Sequence, residues 1–209
     1  NKAALQKRAG LAVDPEIPLV AMAGRVVEQK GFDIAVGVLR SLLGEGAIQF
    51  VLQGSGEYRY EESLREMERQ YPDRSRMFLS LDFAIAQLIF AGCDIFLVPS
   101  RFEPCGLSPL VAMRYGAVPV VRHTGGMVET VPDCSPDLAA GLGFVFENYS
   151  QDDLSAALRR ALAAYGRKEA WQALMVRDMK ADFSWGASLP KYENLYRAAR
   201  RNALGRKTI

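Results

Sequence analysis

Short apolar runs recur along the chain, separated by stretches in which apolar positions repeat with a helical period. Leu19–Ala23 and residues 48–52, 77–81, 94–98, 118–121 and 143–146 are too short for helices and lack a polar face, which predicts strands buried on both sides. After the first run, Ile34, Val38 and Leu42 repeat every fourth position beside Leu39 and Leu43. That places one apolar stripe on a helix begun near Asp33. Residues 57–70, 83–91 and Leu107–Tyr115 repeat the rhythm. Strand alternating with helix predicts an α/β fold, a doubly wound and mostly parallel sheet with helices on both faces. From Asp152 onward strand signals stop, and helices are predicted at 152–165, 168–181 and 188–203, with Phe183-Ser184-Trp185-Gly186 as punctuation. No repeat or low-complexity linker interrupts the chain, so one domain is expected over residues 1–209, its sheet part at about 17–150 and a C-terminal helical tail at about 151–209.

Composition narrows the classes of function. A chain of 209 residues, 49% apolar, has material for one substantial core. Its net charge of +2, from 26 basic and 24 acidic residues, supplies no field suited to nucleic acid or an anionic membrane, and neither is expected as a partner. Cys93, Cys105 and Cys134 are odd in number, without C-x-x-C spacing or nearby histidines, so neither a disulfide framework nor a zinc site is expected. Residues 1–11 are polar and helix-compatible rather than leader-like, and no apolar run approaches the roughly 20 residues that span a bilayer. A cytoplasmic location is expected, or the plastid stroma in a plant or alga.

The unusual residues fall where strands end, which is where such sheets bind ligands. Gly24 and Arg25 follow the first strand, and Gln29-Lys30-Gly31 precedes its helix. Two cations on one edge suit a diphosphate, the Arg as a two-pronged donor and the Lys as a point charge; taken alone they suit solvated loop charges equally. Gln53-Gly54-Ser55-Gly56 is a glycine-rich turn that either admits a ligand to the backbone or simply connects strand to helix. It lacks the third glycine of a dinucleotide fingerprint and a Walker lysine. Pro99-Ser100-Arg101-Phe102-Glu103-Pro104-Cys105-Gly106-Leu107-Ser108-Pro109 is the richest segment. Pro104 stiffens it, Gly106 permits close approach, and Leu107 opens a helix whose free amides suit an anion or a sugar oxygen. Glu103 offers a carboxylate that accepts from sugar hydroxyls and favours positive charge at an anomeric carbon; the alternative is a capping or salt-bridged glutamate. Cys105 has no histidine partner in reach of its loop, which favours packing or a backbone contact over nucleophilic work. His123 is not expected to be catalytic. The turn Thr124-Gly125-Gly126-Met127 is a second candidate cradle, with backbone amides and the Thr124 hydroxyl, or else a tight turn. Trp171 and Trp185 are expected to pack.

Five strings resemble the C-terminal half of bacterial glycogen synthases and plant starch synthases in order and spacing: Arg25-Val-Val-Glu-Gln-Lys-Gly, Pro99-Ser-Arg-Phe-Glu-Pro-Cys-Gly-Leu, Ala112-Met-Arg-Tyr-Gly, Thr124-Gly-Gly and Asp182-Phe-Ser-Trp. The resemblance implies one Rossmann-like half of a GT-B glycosyltransferase that moves glucose from ADP-glucose to an α-1,4-glucan with retention. It implies catalytic roles for Arg25, Lys30 and Glu103, the two cations on the diphosphate and the carboxylate near the reacting sugar carbon. Gly54, Leu81, Cys105, Gly106, Leu107, Thr124, Gly125 and Gly126 complete the implied donor pocket. No cofactor is implied, only ADP-glucose as substrate and ADP as product. Two departures stand out: Leu81 falls where many relatives carry an aromatic against the adenine, and Gln87-Leu88 replaces a frequent His-Arg pair. The family's N-terminal domain, with its glycine loop and acceptor site, has no counterpart here, so the chain is expected to be a fragment that is inactive alone. A UDP-sugar-using GT-B enzyme and a noncatalytic nucleotide-sugar- or glucan-binding module are the competing readings.

Overall fold

The computed structural model describes residues 1–205. Strands β1 (Leu19–Ala23), β2 (Gln49–Gln53), β3 (Ser75–Phe78), β4 (Ile95–Val98), β5 (Val118–Arg122) and β6 (Phe144–Phe146) form one sheet in the order β3-β2-β1-β4-β5-β6. All the described pairings are parallel. The chain winds outward in one direction from β1 and in the other from β4, which opens a crevice beyond the carboxyl ends of those two strands.

Side chains alternate between the two faces. Val20, Met22, Phe50, Leu52, Ile95 and Leu97 enter one core, whereas Leu19, Ala21, Val51, Phe96 and Val98 enter the other. Because both faces are covered, the strands have no solvent side to carry polar residues, and the apolar runs are continuous. Helices α2 (Phe32–Gly44), α3 (Tyr58–Gln70), α7 (Gln151–Tyr165) and α8 (Lys168–Lys180) bury residues in the first core. Helices α1 (Lys2–Ala9), α4 (Phe83–Gly92), α5 (Leu107–Tyr115) and the short α6 (Met127–Thr130) bury theirs in the second. At the amino ends of the strands, Lys2 pairs with Asp94 at 2.7 Å and donates to the Tyr165 hydroxyl at 2.9 Å. This mostly buried cluster fastens the N-terminal helix to the sheet.

Two features differ from the sequence pattern. The third strand stops at Phe78, not Leu81, because β2 leaves the sheet at Gly54, whose amide donates to the Phe78 carbonyl at 3.0 Å. Beyond that bond the β2–β3 ladder ends, and only the Gln53 side chain reaches on, to the Ser80 carbonyl at 2.6 Å among the described residues. Asp82 then caps α4 by accepting from the Ala84 and Ile85 amides, which leaves Leu81 in an exposed turn, 77% accessible. The second difference concerns the tail. The chain forms two compact units, Asn1–Met179 and Lys180–Ile209, so α7 and α8 belong to the sheet unit, where Leu154, Leu158, Trp171 and Leu174 are buried. The second unit contains α9 (Trp185–Gly205), on which Trp185, Leu189, Tyr192 and Tyr196 are exposed. Trp171 therefore packs as expected, against Phe144 and Tyr165, and Trp185 does not. Among the described residues no helix is long and apolar enough to cross a membrane.

Candidate functional site

The crevice between β1 and β4 is lined by Gly24, Arg25, Lys30, Pro99, Ser100 and Ser108, among others. After β1 the chain makes a 3-10 turn, Glu28–Lys30, and enters α2 through Gly31 at φ 79°. A Cβ at Gly31 would lie 2.0 Å from the Pro99 carbonyl oxygen, so the loops after β1 and β4 meet backbone to backbone there. They are stitched further on: the Arg101 amide donates to the Gln29 carbonyl at 2.8 Å, and Gln29 Nε2 donates to the Phe102 carbonyl at 3.1 Å.

This stitching brings Lys30 onto Glu103. The ammonium forms an ion pair with Glu103 Oε2, which also accepts from Ser100 Oγ at 3.2 Å. Side-chain exposures of 23% and 12% put both groups well inside the crevice. Glu103 is thus salt-bridged, with Lys30, another of the three expected catalytic residues, as its partner. Such a pair keeps both charges available in a partly dehydrated place: an arriving anion competes for Lys30, and Glu103 is then offered to hydroxyls or to a carbon gaining positive charge. Arg25 stands beside them in the open, donating to Gln29 Oε1 at 3.3 Å and forming no ion pair among the described residues.

Beyond Glu103, Cys105 is exposed rather than packed, and Gly106, at φ 75°, turns the chain into α5. Leu107 is exposed at the first position of that helix, where backbone amides lack intrahelical acceptors. Thr124, Gly125 and Gly126 lie against this loop in a way that revises their expected role. Gly125 has φ 54°, and a Cβ there would sit 1.8 Å from the Glu103 carbonyl oxygen; at Gly126 it would sit 2.4 Å from that of Cys105. The Gly126 amide donates to the Glu103 carbonyl at 3.3 Å and the Met127 amide to Thr124 at 3.2 Å. Of the expected cradle donors, the Gly126 amide is therefore engaged in holding the Glu103 loop and the Met127 amide in closing its own turn. Gly54 is similar: it is buried at φ 153°, and a Cβ would lie 1.8 Å from the Gly24 carbonyl.

A prediction follows for Gly125→Ala. The left-handed conformation alone costs an L-residue about 1–2 kcal/mol, and the methyl group has no room against the Glu103 backbone. The variant should melt several degrees lower, as read by calorimetry; an unchanged melting point would contradict the close packing.

Sequence reasoning overlooked the residues that surround this loop. Tyr149, just past β6, donates its hydroxyl to Asp33 Oδ1. The Arg101 and Arg122 guanidinium carbons lie 4.5 and 5.5 Å from its ring centre. Burial, followed by the hydrogen bond and charge of Asp33, pushes the phenol above its ordinary range. The available signal was an aromatic directly after a strand on the ligand-facing edge. His123 Nδ1 lies 2.7 Å from Glu147 Oε1.

A parallel, doubly wound sheet whose polar side chains converge at its central carboxyl ends is a Rossmann-type ligand-binding domain. The chain belongs to the glycosyl transferases group 1 family, whose profile matches residues 5–173. It is 46% identical over 197 residues to a glycogen synthase of Anaeromyxobacter sp., covering 94% of this chain and 41% of that protein. It is 42% identical over 196 residues to the glycogen synthase of Bacillus licheniformis, covering 94% and 40%. In three dimensions it matches the catalytic domain of starch synthase IV from Arabidopsis thaliana bound to ADP and acarbose, with a TM-score of 0.82, 37% identity, and coverage of 94% and 41%. The chain thus spans about two fifths of the length of these relatives.

Proposed function

We propose that this chain is the donor-binding part of a retaining glycosyltransferase that carries glucose from ADP-glucose to the end of an α-1,4-glucan. The observation that carries the reading is the Lys30–Glu103 pair with Arg25 beside it at the β1–β4 crevice. Likeness to glycogen synthases and to an ADP-bound starch synthase supports it. In this reading Arg25 and Lys30 hold the diphosphate and stabilise the charge that grows on it as the bond to the glucose carbon breaks. Glu103, released from Lys30 by the incoming phosphate, accepts from sugar hydroxyls and favours the positive charge on that carbon. Amides of Cys105, Gly106 and Leu107 face sugar and phosphate oxygens, and Thr124, Gly125, Gly126, Gly54 and Leu81 bound the pocket. The glucan is held by the part of the transferase that lies outside this chain, no cofactor takes part, and the enzyme works in the cytoplasm.

Titration of the chain with ADP, ADP-glucose, UDP and UDP-glucose tests the reading. Tighter binding of the adenine pair is expected; preference for the uridine pair would favour a UDP-sugar enzyme, and no binding of any at millimolar concentration would favour a noncatalytic module. Arg25→Ala should weaken ADP by about 1.5–3 kcal/mol, the range for hydrogen bonds to charged groups. Unchanged affinity would remove Arg25 from the site.

A further inference from the structure

We propose that Tyr149 is a positioning residue: it clamps the loop bearing Glu103 to the loop bearing Lys30 and so fixes how the carboxylate meets a bound sugar. The functional half rests on the donor-binding reading above; the structural half does not.

Three segments distant in sequence converge on this one side chain. Its hydroxyl reaches Asp33 in the first turn of α2, next to the Lys30 loop. Its ring receives Arg101, two positions before Glu103, and Arg122, the last residue of β5. The two arginines and Asp33 close the circuit. Arg101 pairs with Asp33 at 3.1 Å and with Glu28 at 3.3 Å. Arg122 donates to the Arg101 carbonyl at 2.6 Å and to the Glu147 carbonyl at 3.2 Å. Exposed ion pairs of this kind contribute little to stability, so the network is poorly explained as a fastening for the fold. Its geometry does explain why two loops that must act on one ligand keep a fixed separation. Arg25 and Lys30 come from one loop and Glu103 from the other, and a displacement of about 1 Å between reacting groups can cost about 10²-fold in rate. Tyrosine supplies both parts of the clamp, a face for the guanidinium groups and a hydroxyl for Asp33. Phenylalanine keeps the first, and leucine keeps neither.

The test uses the 209-residue chain, whose sheet unit has its own cores. Tyr149→Phe, Tyr149→Leu, Glu103→Gln and the Tyr149→Leu/Glu103→Gln double variant are compared by amide hydrogen exchange and by titration with ADP and ADP-glucose. Tyr149→Leu should speed exchange in peptides covering residues 28–33 and 100–106 by about tenfold, Tyr149→Phe by less, with peptides from the β3–α4 turn unchanged. The gain in affinity that glucose adds to ADP should fall several-fold in Tyr149→Leu, ADP itself losing less. In the Glu103→Gln background the same change should have no further effect on that gain. Unchanged exchange in both segments, or faster exchange throughout the domain, overturns the clamp. A glucose gain that falls in Glu103→Gln but not in Tyr149→Leu overturns its functional half. If Glu103→Gln itself leaves the gain intact, the donor-binding reading is what fails, and the exchange pattern alone decides for or against the clamp.

Discussion

Glu103→Gln, measured in a full-length transferase carrying this domain, should lower turnover by on the order of 10²–10³-fold, the scale seen when one electrostatic contact to a transition state is removed. Affinity for ADP should stay the same or rise slightly. The two directions come from one contact. Glu103 holds the Lys30 ammonium in an ion pair, so the carboxylate competes with any diphosphate for that cation, and the neutral amide releases it. Glutamine keeps the shape and still accepts from Ser100, the other bond recorded for Oε2. The bonds accepted from the sugar hydroxyls weaken in the bound donor, and what disappears outright is the negative charge facing a sugar carbon that becomes positive only in the transition state. Steady-state rates at saturating donor, with ADP affinity by calorimetry, separate the possibilities. Loss of ADP affinity with turnover preserved would make Glu103 a support for Lys30 and no more.

The strand-helix alternation was legible because the inner strands are buried on both faces; hydrophobicity then acts on every residue of a run, as at Leu19–Ala23, where the expected and observed bounds agree. The end of β3 was not, because it is set by the departure of β2 at Gly54, a tertiary event with no mark on residues 79–81. Likewise the chemistry was visible where it is local. Arg25, Lys30 and Glu103 stand in short, distinctive strings, and the structure brings them to one crevice. Their pairing was hidden, since Lys30 and Glu103 are 73 positions apart. Tyr149 was hidden for the same reason, with its partners Asp33, Arg101 and Arg122 on three segments distant in sequence. The glycines carry a packing role that a Gly-Gly turn does not announce in sequence: at Gly125 and Gly126 the space a Cβ would take is filled by the backbone of Glu103 and Cys105.

A second large effect is expected far from this chemistry, at Asp178 on α8: the stability of the wild-type chain should fall as pH rises from about 4 to 8, and Asp178→Asn should abolish most of that fall. Asp178 is 1% exposed, and among the described residues neither carboxyl oxygen has a hydrogen-bond partner. Its neighbour in sequence, Arg177, directs its guanidinium to the carbonyls of Gly141 and Leu138 at 2.8 and 3.0 Å. Burial pushes the acid up to about 8, with Arg177 pulling weakly the other way. In the unfolded chain the same group titrates near 3.9. Between those values the folded state holds a proton that the unfolded state has released, so stability declines with pH, by roughly 1.4 kcal/mol per unit where the difference is complete. Above about 8 both states are ionised and the penalty is constant. Asp94 also has its pKa raised, by burial opposed by Lys2, but it is common to both proteins and cancels in the comparison. Asparagine cannot titrate, so the variant should match or trail the wild type near pH 5 and exceed it by a few kcal/mol near pH 8. Denaturant midpoints at pH 5, 6, 7 and 8 measure the difference directly. Parallel curves would mean that Asp178 keeps an ordinary acid constant, which its burial without a partner could not then explain.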